Sequence, residues 1–488
     1  MKKIIMAVLF AAAALPVSAG NIKIGFDGQA PGSLGSGADS PLVSAPTPAE
    51  EKGFFSKAPA KEWTVMVFVN GKNNLEMAGL YNVNEMEKVG STPKMNIVVE
   101  MGRMKGQDGD TNMDGDWTGS RRYYIKKDND TEKMNSIEVG RAERSDMGDY
   151  KDAVDFVKWA KQVFPARRYM LILWDHGSGW MDPQMKPKGD GKGISFDDET
   201  GNYIRTKQIG SILKETGGVD VLAFDACLMQ MGEVAFEVKD LTKVIIGSEE
   251  TVPAYGYPYS LFLGALAKNP AMTNADLGRT VVASYKAFYD ALPNKDGSKK
   301  PVQLSAIRSD KLGELGAMLK DFSAAAKDLG DLDALKAARA GVIRYDMLGG
   351  DSDPAMSISF YGDLHQYAGL LAANLKGGDV MATKAASVKS KAAALQTFID
   401  RQLVIDNAAI GKNRAGHEMT DSHGISVYLP PAETRIAQER LESIFEGKYA
   451  DFEFSKATGW HDYVTFLYSI KPEAPIRAPL MAVSHGKR

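Results

Sequence analysis

Five short, almost unbroken apolar runs punctuate the first half of the chain: WTVMVFV (63–69), MNIVVEM (95–101), YMLILWD (169–175), DVLAFDA (220–226) and KVIIGS (243–248). A strand that is apolar on both faces has to be covered on both faces, the situation of a parallel sheet lying between two layers of helices. The intervening segments agree. In DYKDAVDFVKWAKQV (149–163), Ala153, Phe156, Val157 and Ala160 fall on one helical face. Strand alternating with helix predicts an α/β/α sandwich with a mostly parallel sheet over residues 63–300. Further on the chain becomes Ala-rich and mainly helical, with strand-like pieces at 302–308, 357–361 and 424–430. Residues 301–470 therefore read as a mixed helical region whose strands either extend the first sheet or build a second domain, and residues 471–488 as a loose tail.

The N-terminus has a different logic. Residues 1–19, MKKIIMAVLFAAAALPVSA, combine a basic start, an apolar stretch and a small-residue cleavage pattern at Val17-Ser18-Ala19, which predicts a signal peptide and export to the periplasm or the extracellular space. Residues 20–62 hold seven glycines and five prolines and few large apolar side chains, so they cannot bury a core and read as a linker or pro-segment. No later segment offers the roughly 18 apolar residues of a membrane span. Losing the leader removes Lys2 and Lys3 and deepens the formal charge of −3 by two, a balance that speaks against a nucleic-acid partner.

An exported chain usually spends cysteines in pairs, yet here Cys227 is alone. It is either a small buried hydrophobe or a nucleophile. In an open parallel sheet, functional groups collect beyond the carboxyl ends of the strands. Two runs end there with reactive residues: 169–175 runs into His176-Gly177-Ser178-Gly179, and 220–226 runs into Cys227. A thiol attack needs a proton carrier, and imidazole is the usual one near neutral pH. The helical spacing of Leu228, Met231, Val234, Ala235 and Val238 predicts a helix starting at the cysteine, whose amino end would favour the thiolate. Gly177 permits close backbone approach, and its N–H with that of Cys227 could form an oxyanion hole. Asp175 projects from the opposite strand face to His176 and is not assigned to a triad. Asp225 lies two positions before Cys227, so by strand alternation it shares a face with the thiol; it either meets a cationic substrate side chain or serves a local pairing or capping task. Glu249 and Glu250 either line the same pocket or are simply solvated.

With these residues in place, the chain resembles the clostripain family of cysteine endopeptidases, relatives of the caspases, legumains and gingipains. The matching stretches are WTVMVFVNGKNNLE (63–76), SRRYYIKKDND (120–130), YMLILWDHGSGW (169–180), DVLAFDACLMQMGEVAFEV (220–238) and SEETVPAYGYPY (248–259), with weaker similarity through HGISVYLP (423–430) and FEFSKATGWHDYV (452–464). The resemblance implies a caspase-like fold, a catalytic dyad on His176 and Cys227, Asp225 as a specificity acid, and cleavage of protein or peptide substrates after Arg or Lys through a thioester. It also implies maturation by cleavage in the polar, glycine-rich segment 180–202, where Lys188 and Lys192 each precede glycine and are the candidates for self-cleavage. Two alternatives use the same residues, a legumain-like transamidase and an inactive caspase-like scaffold that binds peptides.

The chemistry requires no cofactor. Calcium is a candidate ligand at Asp110, Asn112, Asp114 and Asp116, which with Gly115 copy the first half of an EF-type loop; Arg121 stands where the bidentate carboxylate belongs. His365, His417, His423, His461 and His485 are scattered without ligand spacing and read as structural or surface residues.

Overall fold

The computed structural model describes residues 60–180, 193–345, 359–376, 381–413, 415–430 and 449–470. The leader, most of the linker, the tail, and both Lys188 and Lys192 lie outside the described residues.

The apolar runs do form the strands of one large sheet. Its strands are β1 (Lys61–Gly71), β2 (Met95–Arg103), β3 (Gly119–Tyr124), β4 (Ile137–Ala142), β5 (Ala166–Trp174), β8 (Val221–Asp225), β9 (Val244–Gly247), β10 (Val302–Arg308) and β13 (Val404–Ile410). A short hairpin of β6 (Ile194–Asp197) and β7 (Asn202–Ile204) stands apart, and β11 (Arg344–Tyr345), β12 (Tyr361–Asp363) and β14 (Ser426–Tyr428) make a small antiparallel sheet. The order across the large sheet is β13-β10-β9-β8-β5-β1-β2-β3-β4. The five central strands β9, β8, β5, β1 and β2 run parallel, flanked by antiparallel pairs on each side.

Why the central runs are apolar throughout is visible in where alternate residues go. Met66 and Phe68 of β1, Leu171 and Leu173 of β5, and Leu222 and Phe224 of β8 enter one core. Their neighbours Val65, Val67 and Val69, Met170, Ile172 and Trp174, and Val221 and Ala223 enter the other. The first core is closed by the helix Tyr150–Val163, which Asp149 caps by accepting from the Lys151 N–H, together with helices Thr206–Thr216 and Leu312–Leu329. The second is closed by Tyr259–Lys268 and Asn274–Asp290.

The sequence left open where the late strands go, and they divide. Val302–Arg308 and Val404–Ile410 extend the large sheet, which therefore does not end at residue 300, whereas 361–363 and 426–428 form the separate small one. Strands β3, β4 and β13 show no unbroken apolar run, because each lies toward a sheet edge and is only partly buried.

Phe156 carries the helix Tyr150–Val163 onto the sheet, its ring centroid 5.9 Å from that of Phe68 with both side chains fully buried. Phe156→Ala should cost about 3–5 kcal/mol of stability through the cavity it leaves, read as a lower urea midpoint at unchanged slope.

Candidate active site

The turns that carry His176 and Cys227 lie side by side because β5 and β8 pair in parallel, in register Trp174 opposite Asp225. Each reactive residue lies two positions beyond that pair, and the two turns are in backbone contact: a Cβ on Gly177 would fall 2.4 Å from the Cys227 carbonyl oxygen and 3.1 Å from its nitrogen. Gly177 is thus required by close approach, and its N–H is one of the groups that steady the sulfur.

The thiol does not sit at a helix N-terminus, contrary to the expectation from spacing. The helix begins at Gly232, after Met231. The segment before it is held by neighbours instead: Leu228 adopts a left-handed backbone (φ 64°) and its N–H donates to the Glu250 carbonyl, Gln230 N–H donates to Ser248, and the Gln230 carbonyl accepts from Ser426. Cys227 Sγ accepts from the Val252 N–H at 3.2 Å, so the loop 248–252 forms one wall. Burial, with the carboxylates of Glu250 and Asp225 nearby, pushes the thiol up to about 11.

On the facing turn, His176 Nε2 lies 2.6 Å from Asn74 Oδ1. The carboxamide oxygen can only accept, which places the proton of the neutral ring on Nε2 and its lone pair on Nδ1. Burial lowers the imidazole to about 4. Burial thus favours the neutral form of both the thiol and the imidazole. Asn74 carried no assignment from the sequence; its signal was a pair of asparagines just past the end of β1, the strand next to β5. Its neighbour Asn73 and the buried Asp175 fix the scaffold: Asn73 Nδ2 donates to Asp175 Oδ1 at 2.8 Å, and Asp175 Oδ2 accepts the Phe196 N–H. Asp175 thus ties the β6 hairpin to the His176 turn, in keeping with its exclusion from a triad. Lys72, fully buried, pairs with Asp197 at 3.0 Å and so clamps the same hairpin to β1.

Asp225 is buried on the second core's side of the sheet. Its Oδ2 accepts from the Tyr257 N–H at 3.0 Å and the Tyr259 hydroxyl at 2.9 Å, and burial raises it to about 7. A Cβ on Gly256 would fall 2.7 Å from that oxygen, so only glycine fits over the carboxyl. Glu249 and Glu250 are both buried, not solvated. They part company: Glu250 acts electrostatically on the thiol, whereas Glu249 turns toward the C-terminal region, accepting from the Gly424 N–H at 2.8 Å with Asp363 as its main charged neighbour.

The calcium loop is not assembled. Asp110 accepts from the Gly106 N–H, Asp114 from the Met134 N–H and Trp117 Nε1, and Asp116 pairs with Lys105 at 3.1 Å, while Asn112 precedes a single 3-10 turn. Among the described residues, Asp110, Asp114 and Asp116 do not converge into a three-carboxylate cluster. Without an acid at position twelve nothing draws them together. The scattered histidines are the opposite case: His365 and His423 come together with Asp363.

A lone thiol and an imidazole on the carboxyl ends of adjacent parallel strands, in an α/β/α sandwich, define the site class of the caspase-like cysteine hydrolases. The sequence profile of peptidase family C11, the clostripain family, matches residues 67–466, and the chain belongs to that family. Clostripain of Hathewaya histolytica is 27% identical over 232 residues, which cover 44% of this chain and 44% of clostripain, so the match spans less than half of that relative. Two solved structures share the fold at a TM-score of 0.56: a secreted C11 cysteine protease from Bacteroides thetaiotaomicron in complex with an irreversible peptide inhibitor (20% identity, 82% of this chain and 99% of that one), and an inactive zymogen C11 protease from Parabacteroides distasonis (18%, 82% and 98%).

A thiol raised by burial and by like charge should react slowly until high pH. Iodoacetamide alkylation of Cys227, followed by mass spectrometry, should keep accelerating past pH 9, and Glu250→Gln should move the profile to lower pH. A plateau already reached below pH 6 would mean a preformed thiolate–imidazolium pair instead.

Proposed function

We propose that the protein is an exported cysteine endopeptidase that cleaves protein and peptide substrates after Arg or Lys. The observation that carries this reading is the in-register pairing of β5 with β8, which sets His176 and Cys227 at the ends of neighbouring strands with their turns in contact. Membership of the clostripain family supports the peptidase activity. The leader-like residues 1–19 support export, and no helix among the described residues is long and apolar enough to cross a membrane.

As the substrate carbonyl approaches, Cys227 Sγ gives its proton to His176 and forms the S–C bond; the N–H groups of Gly177 and Cys227 receive the oxyanion. His176, steadied by Asn74, hands the proton to the leaving amine, and a thioester remains. Water, deprotonated by the same imidazole, then releases the acid and restores the thiol. No cofactor takes part in these steps. Asp225 supplies the preference for basic side chains. Its present partners are all neutral donors, and its pKa of about 7 reflects an acid without a counter-charge; an incoming cation would hold it ionised. Maturation by cleavage after Lys188 or Lys192 fits the same specificity.

Purified wild type, Cys227→Ala and His176→Ala, assayed on Arg- and Lys-containing peptides and weighed intact, test the dyad. Each substitution should reduce hydrolysis by a factor on the order of 10⁴ or more, and only wild type should appear as two fragments joining near residue 189 or 193. Activity retained in Cys227→Ala would remove the nucleophile from the scheme. For the pocket, Asp225→Asn should lower kcat/KM for basic P1 residues by about 100-fold or more while changing a neutral P1 by less than about tenfold. Equal losses on both would assign Asp225 to structure alone.

A further inference from the structure

Outside the dyad, one group of side chains converges that no step above uses. Asp363 ends β12 and begins the helix Leu364–Asn374; His365 is on that helix's first turn, and His423 stands just before β14. One donor atom from each of the three, an Asp363 carboxylate oxygen and a ring nitrogen from each histidine, lies within 4.8 Å of the others. The two rings face each other with centroids 3.7 Å apart and planes 19° apart. His423 Nδ1 is 3.3 Å from Asp363 Oδ1, and His365 Nε2 is 3.3 Å from Asp400 Oδ2. Asp363 is fully buried, while the side chains of His365 and His423 are 12% and 29% exposed, so the cluster opens to solvent on the imidazole side.

A second observation points the same way. Behind Asp363, the side chains of Glu249, Tyr345 and Ser422 form a buried polar group in which Asp363 and Glu249 share a contact and Tyr345 bridges Glu249 and Ser422. The four groups share one electrostatic neighbourhood, since Asp363 is the main charge acting on Glu249, and Glu249, Asp363 and Ser422 all act on Tyr345. Two buried carboxyls side by side are costly unless a proton or a cation is shared between them. Among the described residues neither Asp363 nor Glu249 pairs with a lysine or arginine, and histidine is the one cationic partner Asp363 has.

We propose that Asp363, His365 and His423 form a binding site for a divalent transition metal of the zinc class, with Asp400 orienting His365 from outside and Glu249 completing the negative charge from within. Two imidazoles and one carboxylate are the donor set that suits zinc or cobalt, whereas calcium and magnesium take oxygen donors. Donors around such an ion sit about 2.0–2.2 Å from it, so metal binding requires the donors to close in and the two rings to turn out of their face-to-face stack so that one in-plane lone pair from each meets the ion. The carboxylate with His365 as outer partner follows the usual arrangement in which a ligand's second nitrogen is held by an acid. The position matters as well. Gly424, next to His423, donates to Glu249, and Glu249 precedes Glu250 in the loop whose Val252 N–H holds the Cys227 sulfur. An ion here ties the C-terminal sheet to the wall of the active site.

The test uses the full chain carrying Cys227→Ala, so that the thiol cannot compete for metal, stripped with a chelator and then titrated against Zn²⁺ in the presence of a chromophoric zinc indicator, with Co²⁺ titrated separately. One equivalent should bind at micromolar concentration or tighter, Co²⁺ should develop visible d–d absorption, and millimolar Ca²⁺ should not displace either ion. Adding His365→Ala or His423→Ala should weaken Zn²⁺ at least about 100-fold and abolish the zinc-dependent rise in melting temperature. Should His423→Ala fail to fold, His365→Ala, which leaves intact the helix cap in which Asp363 accepts from the Gln366 N–H and the bond from the His423 N–H to Asp363, decides alone. Zinc affinity unchanged by the His365 substitution, or binding only at millimolar concentration in the parent, overturns the proposal. The reading does not depend on peptidase activity, since the nucleophile is absent throughout.

Discussion

The parallel ladder between β5 and β8 is the constraint on which the rest of the molecule depends. Parallel strands cannot be joined by a tight turn, so each needs a crossover and a cover of helices, and the chain meets that demand with two separate cores on opposite faces of one sheet. The register of this ladder also carries the chemistry. A slip of one residue would turn every β8 side chain to the other face, sending Leu222 and Phe224 out of their core and carrying Cys227 away from the His176 turn. Packing and reactivity are therefore specified by the same alternation of side chains.

The electrostatics of the site follow from that architecture more than from any special residue. Strand ends buried beneath loops are dry, and dryness disfavours every charge: the imidazole falls to about 4, the thiol rises to about 11, and Asp225 rises to about 7. The spacing after Cys227 suggested a helix whose dipole would offset this for the thiolate. That help is missing, because Leu228 takes a left-handed turn and the segment through Met231 spends its backbone bonds on Ser248, Glu250 and Ser426. The anion is left to substrate-bound chemistry, with the Val252 and Gly177 N–H groups as its nearest stabilisers.

What could be read from the sequence divides along physical lines. Strands buried on both faces announce themselves, so β1, β2, β5, β8, β9 and β10 were legible, as was the placement of His176 and Cys227 just past the ends of β5 and β8. Partly buried edge strands such as β13 carry little pattern, and the destination of the late strands was open because register between segments a hundred residues apart leaves no local trace. Asn74 escaped for a similar reason: a short polar side chain after a strand has many uses, and its tie to His176 exists only once β1 lies beside β5. Local spacing says little about which side chains converge in space. Asp110, Asp114 and Asp116 are close in sequence yet each has its own protein partner, while His365 and His423, 58 positions apart, stack face to face.

The strand order has a consequence for how the chain is divided. Residues 60–180 supply β1 to β5, which form one contiguous flank of the large sheet; residues from 193 onward supply β8, β9, β10 and β13, the other flank. The seam between the flanks is the β5–β8 ladder itself. A chain opened between 180 and 193 is therefore a heterodimer of two interlocked halves, each holding one member of the His176–Cys227 pair and neither complete alone. The β6 hairpin belongs to the second half but is fastened to the first, through Asp175 to Phe196, Ser178 to Gly193, and the buried Lys72–Asp197 pair. The two halves share a sheet, two cores and a clasp, so the contacts that join them run across the β5–β8 ladder and the hairpin.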